Sequence, residues 1–136
     1  MINKMKTAQE AVAGIQDGMT IMVGGFLATG SPEILMDALV EKGVKHLTVI
    51  GNDGGLDAGQ PAGEFAAKTA RGIGKLLEHH MVDHIIASHL GVNPKLNEQF
   101  AEGTLRYTLV PQGTLAEKIR AANNGSSAEM DVNIRL

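Results

Sequence analysis

The sequence predicts an α/β fold, an open and mostly parallel sheet flanked by helices. Three observations carry that expectation. Short apolar strands alternate with amphipathic helical stretches along the whole chain. Each strand ends on a glycine or a small polar residue, so the strand ends should line one rim. The segment from Asp17 to Glu33 runs from a strand, through a glycine loop, into a helix start. In α/β proteins that succession builds ligand sites, because bare backbone can approach a ligand and the helix start offers unpaired N–H groups.

Taken in order, residues 7–15 form a helical stretch, with Ala8, Ala11, Val12 and Ile15 on one face and Thr7 as N-cap. Asp17-Gly18 turns the chain into a strand at 20–23. Pro32 opens a second amphipathic helix over 32–40, stopped by Gly43. A buried strand follows at 47–50, broken by Asn52-Asp53-Gly54-Gly55 and a glycine-rich loop over 51–63. A third helical stretch is expected over 65–79, with breaks near Gly72 and Gly74. Residues 85–87 form a strand, and Ser88-His89-Leu90-Gly91 the turn after it. Asn93-Pro94 starts a helix through Phe100, stopped by Gly103. A strand at 105–110 leads through Pro111-Gln112-Gly113 into a helix at 115–122. There Thr114 and Glu117 have the capping-box spacing. From Asn123 the chain becomes linker-like, and 131–136 has room for one edge strand.

Composition bounds the function. The 136 residues suffice for one domain, and 43% of them are apolar. Three Phe, one Tyr and no Trp make the core aliphatic. Twelve basic against fifteen acidic residues, with no basic stripe, argue against nucleic-acid binding. Zero cysteines exclude thiol chemistry and disulfides and fit a cytoplasmic protein. No apolar run reaches the ~18 residues of a membrane helix, and residues 1–10 hold no signal core.

The motifs admit more than one account. Glycines at 24, 25 and 30 have the wrong spacing for a dinucleotide fingerprint. Gly25 to Gly30 has P-loop glycine spacing, but Ser31-Pro32 stands where Lys-Ser/Thr is needed. NTP hydrolysis is therefore disfavoured, and a plain tight turn competes with a ligand loop. Glu33 fits helix-end electrostatics better than catalysis. His79, His80, His84 and His89 have no metal-ligand spacing, although His89 falls on the expected rim. Asn52-Asp53 fits a turn. Gln112 fits either a helix cap or an uncharged group that orients a carboxylate or thioester carbonyl.

The pattern D-G-x-x-[apolar]₃-G-G-F-x-x-x-G-x-P over 17–32 resembles the signature of the family I coenzyme A transferases, in their α subunit. Asn52-Asp53-Gly54, Gly74-Lys75-Leu76, Ser88-His89-Leu90-Gly91-Val92-Asn93 and Pro111-Gln112-Gly113-Thr114-Leu115-Ala116-Glu117 agree in order and spacing. The α subunits of acetate/acetoacetate and butyrate–acetoacetate CoA-transferases look most similar. The resemblance runs from about Lys4 to Ala122, so residues 1–122 are expected to form the α-subunit-like domain. Residues 123–136 are a divergent tail on a chain shortened at its C-terminal end relative to a whole α subunit.

The resemblance implies a ping-pong transfer of CoA from a short acyl-CoA, such as acetoacetyl-CoA, to a carboxylate such as acetate. A glutamate of a partner β subunit carries the CoA as a thioester. No catalytic nucleophile is then expected in this chain, neither Glu33 nor Glu64. Neither a metal nor an organic cofactor is expected, and an α2β2 assembly is implied. Gly24, Gly25, Phe26, Gly30, Asn52, Gln112 and Gly113 are the substrate- and CoA-site residues that the resemblance points to. The alternative is a non-catalytic α-like domain that binds CoA or a partner, or self-associates through an exposed edge.

Overall fold

The structure is a computed structural model and describes residues 4–59, 68–123 and 132–136. Its elements are α1 (Ala8–Val12), β1 (Thr20–Met22), α2 (Glu33–Lys42), β2 (Leu47–Gly51), α3 (Ile73–Glu78) and β3 (Val82–Ala87). They continue with α4 (Pro94–Ala101), β4 (Arg106–Leu109), α5 (Gln112–Asn123) and β5 (Ile134–Arg135). Among the described residues the strands form one sheet in the order β4-β3-β2-β1-β5, every pair parallel. The expected α/β architecture is borne out.

The sheet is held by aliphatic rows that cross it. Ile21, Val49 and Ile85 lie in register on one face, all without solvent exposure. Met36 and Leu39 of α2, Leu76 and Leu77 of α3 and Leu96 of α4 join that core. On the other face Ile50, Val110 and Leu115 form a smaller cluster with Met22, Ile86 and Ile119. The edge strand β4 is exposed along its length, and Tyr107 there stacks on Phe100 with ring centroids 4.5 Å apart.

Several local expectations need correction. The first helix ends at Val12 rather than at 15. Thr7 caps it as expected, in a reciprocal box: its Oγ1 accepts from Glu10 N–H at 3.2 Å, and Glu10 Oε2 accepts from Thr7 N–H at 2.8 Å. The carbonyls beyond turn to Lys42, whose ammonium donates to Val12, Ala13 and Ile15 oxygens at 3.0, 2.5 and 2.6 Å. Among the described residues, the helix expected over 65–79 runs only from Ile73 to Glu78. Phe65 to Ala67 lie outside the described residues. Arg71 spends its backbone on Leu56, donating at 2.9 Å and accepting at 3.1 Å. Gly72, at φ +58°, then starts the helix.

The last helix begins at Gln112, because Leu115 N–H already donates to the Pro111 carbonyl at 2.9 Å. Thr114 is therefore inside the helix and not its cap. The third strand runs three residues further back than expected, to Val82, which pairs with Leu47. The expected edge strand near the C-terminal end exists as β5, beside β1.

Lys42 is a long-range cap for a helix too short to stand alone. Its replacement by alanine leaves several carbonyls without that donor. We expect Lys42→Ala to lower the unfolding free energy by about 1–2 kcal/mol, measured as a shift in the urea midpoint.

Candidate functional site

Parallel pairing puts the C-terminal ends of β1, β2, β3 and β4 on one rim, and a chain of side-chain hydrogen bonds joins all four. Asn52, after β2, donates its Nδ2–H to the Gly25 carbonyl, after β1, at 2.6 Å. Its Oδ1 accepts from Nε2–H of Gln112, after β4, at 2.8 Å. The Gln112 Oε1 accepts from the hydroxyl of Ser88, after β3. That hydroxyl also lies 3.0 Å from the Asn52 carbonyl, which accepts from the N–H groups of Ser88 and His89 at 3.1 Å each. The relay is neutral throughout. Each amide is oriented by a partner on both of its ends, which fixes the side chains more tightly than a lone contact.

The glycine loop brings its backbone close to its own return. Gly25 has φ +122°, and a Cβ there would collide with the Ser31 hydroxyl. That hydroxyl in turn donates to the Gly24 carbonyl at 3.2 Å. Gly24 N–H donates to the Leu136 carbonyl at 3.0 Å, tying the loop to the residue after β5. A cavity of about 220 Å³ opens beside it, lined by Met22, Val23, Gly24, Gly51, Asn52, Ile119, Arg135 and Leu136. Its walls are mixed, aliphatic side chains with one amide and one guanidinium.

The structure thus brings Gly25, Asn52 and Gln112 into one relay and Gly24 and Asn52 to one cavity. Phe26, 61% exposed, projects from the same loop without joining the relay. Gly30 completes the loop at φ +78°. Gly113 sits in the first turn of α5, where a side chain would meet open space. Ser88 was legible only as a turn residue, and its link to Gln112 has no local sequence signal.

Glu33 takes no part in the relay. Its Oε1 accepts from Gly72 N–H at 3.0 Å, and its carboxylate pairs with Lys75 at 2.8 Å and Arg71 at 3.5 Å. Lys75 also meets Asp37 at 2.6 Å. Burial pulls the Lys75 ammonium down, but the Asp37 and Glu33 carboxylates outweigh it, so its pKa stands above the ordinary lysine value. The histidines scatter. His46 pairs with Asp83 at 3.0 Å, and His84 bonds Thr108 Oγ1 at 2.9 Å. Among the described residues no three His, Cys, Asp or Glu side chains gather as a metal site would need. No described helix is long and apolar enough to cross a membrane.

Comparison with known proteins places the chain in a family. The sequence pattern described as Coenzyme A transferase matches residues 5–132. The chain belongs to that family. It is 42% identical over 125 residues to the acetate CoA-transferase subunit alpha of Escherichia coli (strain K12), covering 92% of this chain and 51% of that one. To the acetoacetyl-CoA:acetate/butyrate CoA transferase alpha subunit of Clostridium acetobutylicum it is 42% identical over 110 residues, 81% of this chain and 45% of that one. Among solved structures, the acyl-CoA transferase YdiF of E. coli O157:H7, as its thioester complex with CoA, superposes with a TM-score of 0.66. Identity there is 27%, over 88% of this chain and 22% of that one. The chain spans about half the length of the curated relatives it matches. The resemblance to α subunits read from the glycine signature is borne out.

One histidine of the chain supplies a pH test. Burial first, and the Arg106 charge second, push the His84 pKa below its ordinary 6.5. The unfolded chain therefore takes up a proton that the folded one refuses. The stabilisation is complete above 6.5 and is lost progressively below it, as pH falls through the lowered folded-state pKa. Urea midpoints at several pH values should fall from about pH 7 to pH 5, and His84→Gln should flatten that slope.

Proposed function

We propose that this chain acts as the α part of a short-chain acyl CoA-transferase, paired with a β subunit in an α2β2 assembly. The observation that carries the reading is the neutral relay Gly25–Asn52–Gln112–Ser88 on the shared strand rim, in a chain similar to acetate and acetoacetyl-CoA transferase α subunits. In this reading a β-subunit glutamate attacks the thioester carbonyl. CoA thiolate leaves and a mixed anhydride forms. The thiolate then attacks the glutamyl carbonyl, the free acid departs, and CoA rests on the enzyme as a thioester. The acceptor carboxylate reverses the sequence. The CoA thioester is the substrate, and no further cofactor takes part.

The role of this chain is to receive developing negative charge. Amide and backbone dipoles held in place can stabilise a tetrahedral oxyanion and release it again. A fixed lysine would favour one ionic state over the others along such a path. Gln112 suits the task because Asn52 and Ser88 hold both ends of its amide.

A second reading rests on the half-length match to the relatives: an α-like domain that binds CoA or a partner without turnover. Acetate-dependent loss of acetoacetyl-CoA, followed by absorbance, separates the two. We expect activity from this chain mixed with a CoA-transferase β subunit and none from the chain alone. An inactive mixture whose chains fail to co-elute would leave only the binding reading.

Within an active mixture, Gln112→Ala should lower turnover by about a hundredfold with little change in thermal stability. Unchanged turnover would remove Gln112 from the reacting centre.

A further inference from the structure

We infer that Asp53 is a positioning residue whose carboxylate holds the Phe26–Thr29 hairpin in a conformation its own sequence disfavours. The inference rests on the reading of the rim given above only for its effect on turnover.

Phe26 and Thr29 exchange both backbone hydrogen bonds, N–H to O at 3.0 and 2.9 Å, around a two-residue loop. The loop residues Leu27 and Ala28 have φ of +47° and +61°. A hairpin of this kind needs positive φ at both central positions and ordinarily takes Asn-Gly. Leu and Ala place a Cβ against the backbone carbonyl in that region and lack the side-chain bonds that let Asn tolerate it. The surrounding structure must therefore impose the turn.

Two contacts impose it. Asp53 is 4% exposed, and its Oδ2 accepts from Leu27 N–H at 2.8 Å. Its Oδ1 accepts from Gly55 N–H at 2.8 Å. Ala28, 2% exposed, seats against Gly72, where even a Cβ would come within 3.4 Å of the Ala28 methyl. Burying a carboxylate is costly unless its oxygens are well bonded. Here each oxygen is spent on one backbone N–H, and one of those belongs to the strained turn. An asparagine would offer one acceptor in place of two and turn an NH₂ donor toward Leu27 or Gly55. Asp53 also follows Asn52 directly, so one turn of chain places both the relay amide and the exposed Phe26.

The test is amide hydrogen exchange on the intact chain, followed by NMR. Asp53→Asn should speed exchange at Leu27 and Thr29 by about tenfold or more while the paired amides of β2 and β3 stay unchanged. Adding Leu27→Gly, which relieves the positive-φ strain at that position and keeps the Ala28 contact, should restore slow exchange at Thr29. That rescue is what a general loss of stability would not produce. Unchanged exchange at Leu27 and Thr29 overturns the inference, as does a uniform rise across the sheet. If Asp53→Asn does not fold, Leu27→Gly in the otherwise unaltered chain must slow Thr29 exchange, and its failure to do so has the same consequence.

In an active mixture with a β subunit, Asp53→Asn should reduce turnover and the double variant should recover it. Local exchange as expected, beside an inactive unaltered mixture, would defeat the transferase reading and leave the positioning role standing. Active mixtures with unaffected exchange would do the reverse.

Discussion

Asn52 bonds, through one side-chain amide, a carbonyl 27 residues before it and an amide 60 residues after it. That reach is possible only because β1, β2, β3 and β4 run parallel and end together. In parallel sheets the chain must cross back between strands, and the crossing helices bury the sheet. Here α2, α3 and α4 cover one face, and α5 covers part of the other. The aliphatic row Ile21–Val49–Ile85 sets the register, and the register sets where Gly25, Asn52, Ser88 and Gln112 emerge. A slip of one residue would reverse every side chain on the affected strand and dismantle the relay with the core.

The loops at the rim are held by exchange of backbone groups at short range. Gly74 approaches the Leu56 carbonyl so closely that a Cβ would overlap it. Gly25 does the same with Ser31. Glycine at these positions makes room for the neighbouring backbone to pass. The Leu27-Ala28 turn is the contrary case, in which non-glycine residues hold positive φ because carboxylate and packing contacts outside the turn fix them.

These differences explain what the sequence shows and what it hides. Asn93 caps α4 with Pro94 behind it, and Gly43 closes α2 in the left-handed conformation; both are local devices and were legible as such. So were the strand centres, where apolar residues cluster. The ends of α1 and α3 were not, because Lys42 and Leu56, each remote in sequence, decide them. The start of α5 depends on the Pro111 carbonyl rather than on the Thr114 and Glu117 spacing. At the site, the pattern at Gly25, Asn52 and Gln112 fitted a turn or a cap as well as a ligand rim, and the resemblance to the CoA-transferases is what singled them out. Ser88 looked like any turn residue, and the Asp53 bond to Leu27 leaves no pattern to read.

Charge is distributed so that the relay stays neutral. The ion pairs of Glu33 with Arg71 and Lys75, and of Lys75 with Asp37, fasten α3 and the residue Arg71 before it to α2. The Asp53 charge is turned inward onto backbone N–H groups. Under the proposed transfer, the site must meet a neutral thioester, an anhydride, a thiolate and a carboxylate in turn. Dipoles that are already oriented respond to each of these without reorganising. A strong fixed charge within the relay would bind one of them best and slow its departure; the Arg135 guanidinium lines the neighbouring cavity but is not a member of the relay. Under the proposed transfer, the tight bonding of Asn52 and Gln112 would keep the amides aimed while the charge before them changes.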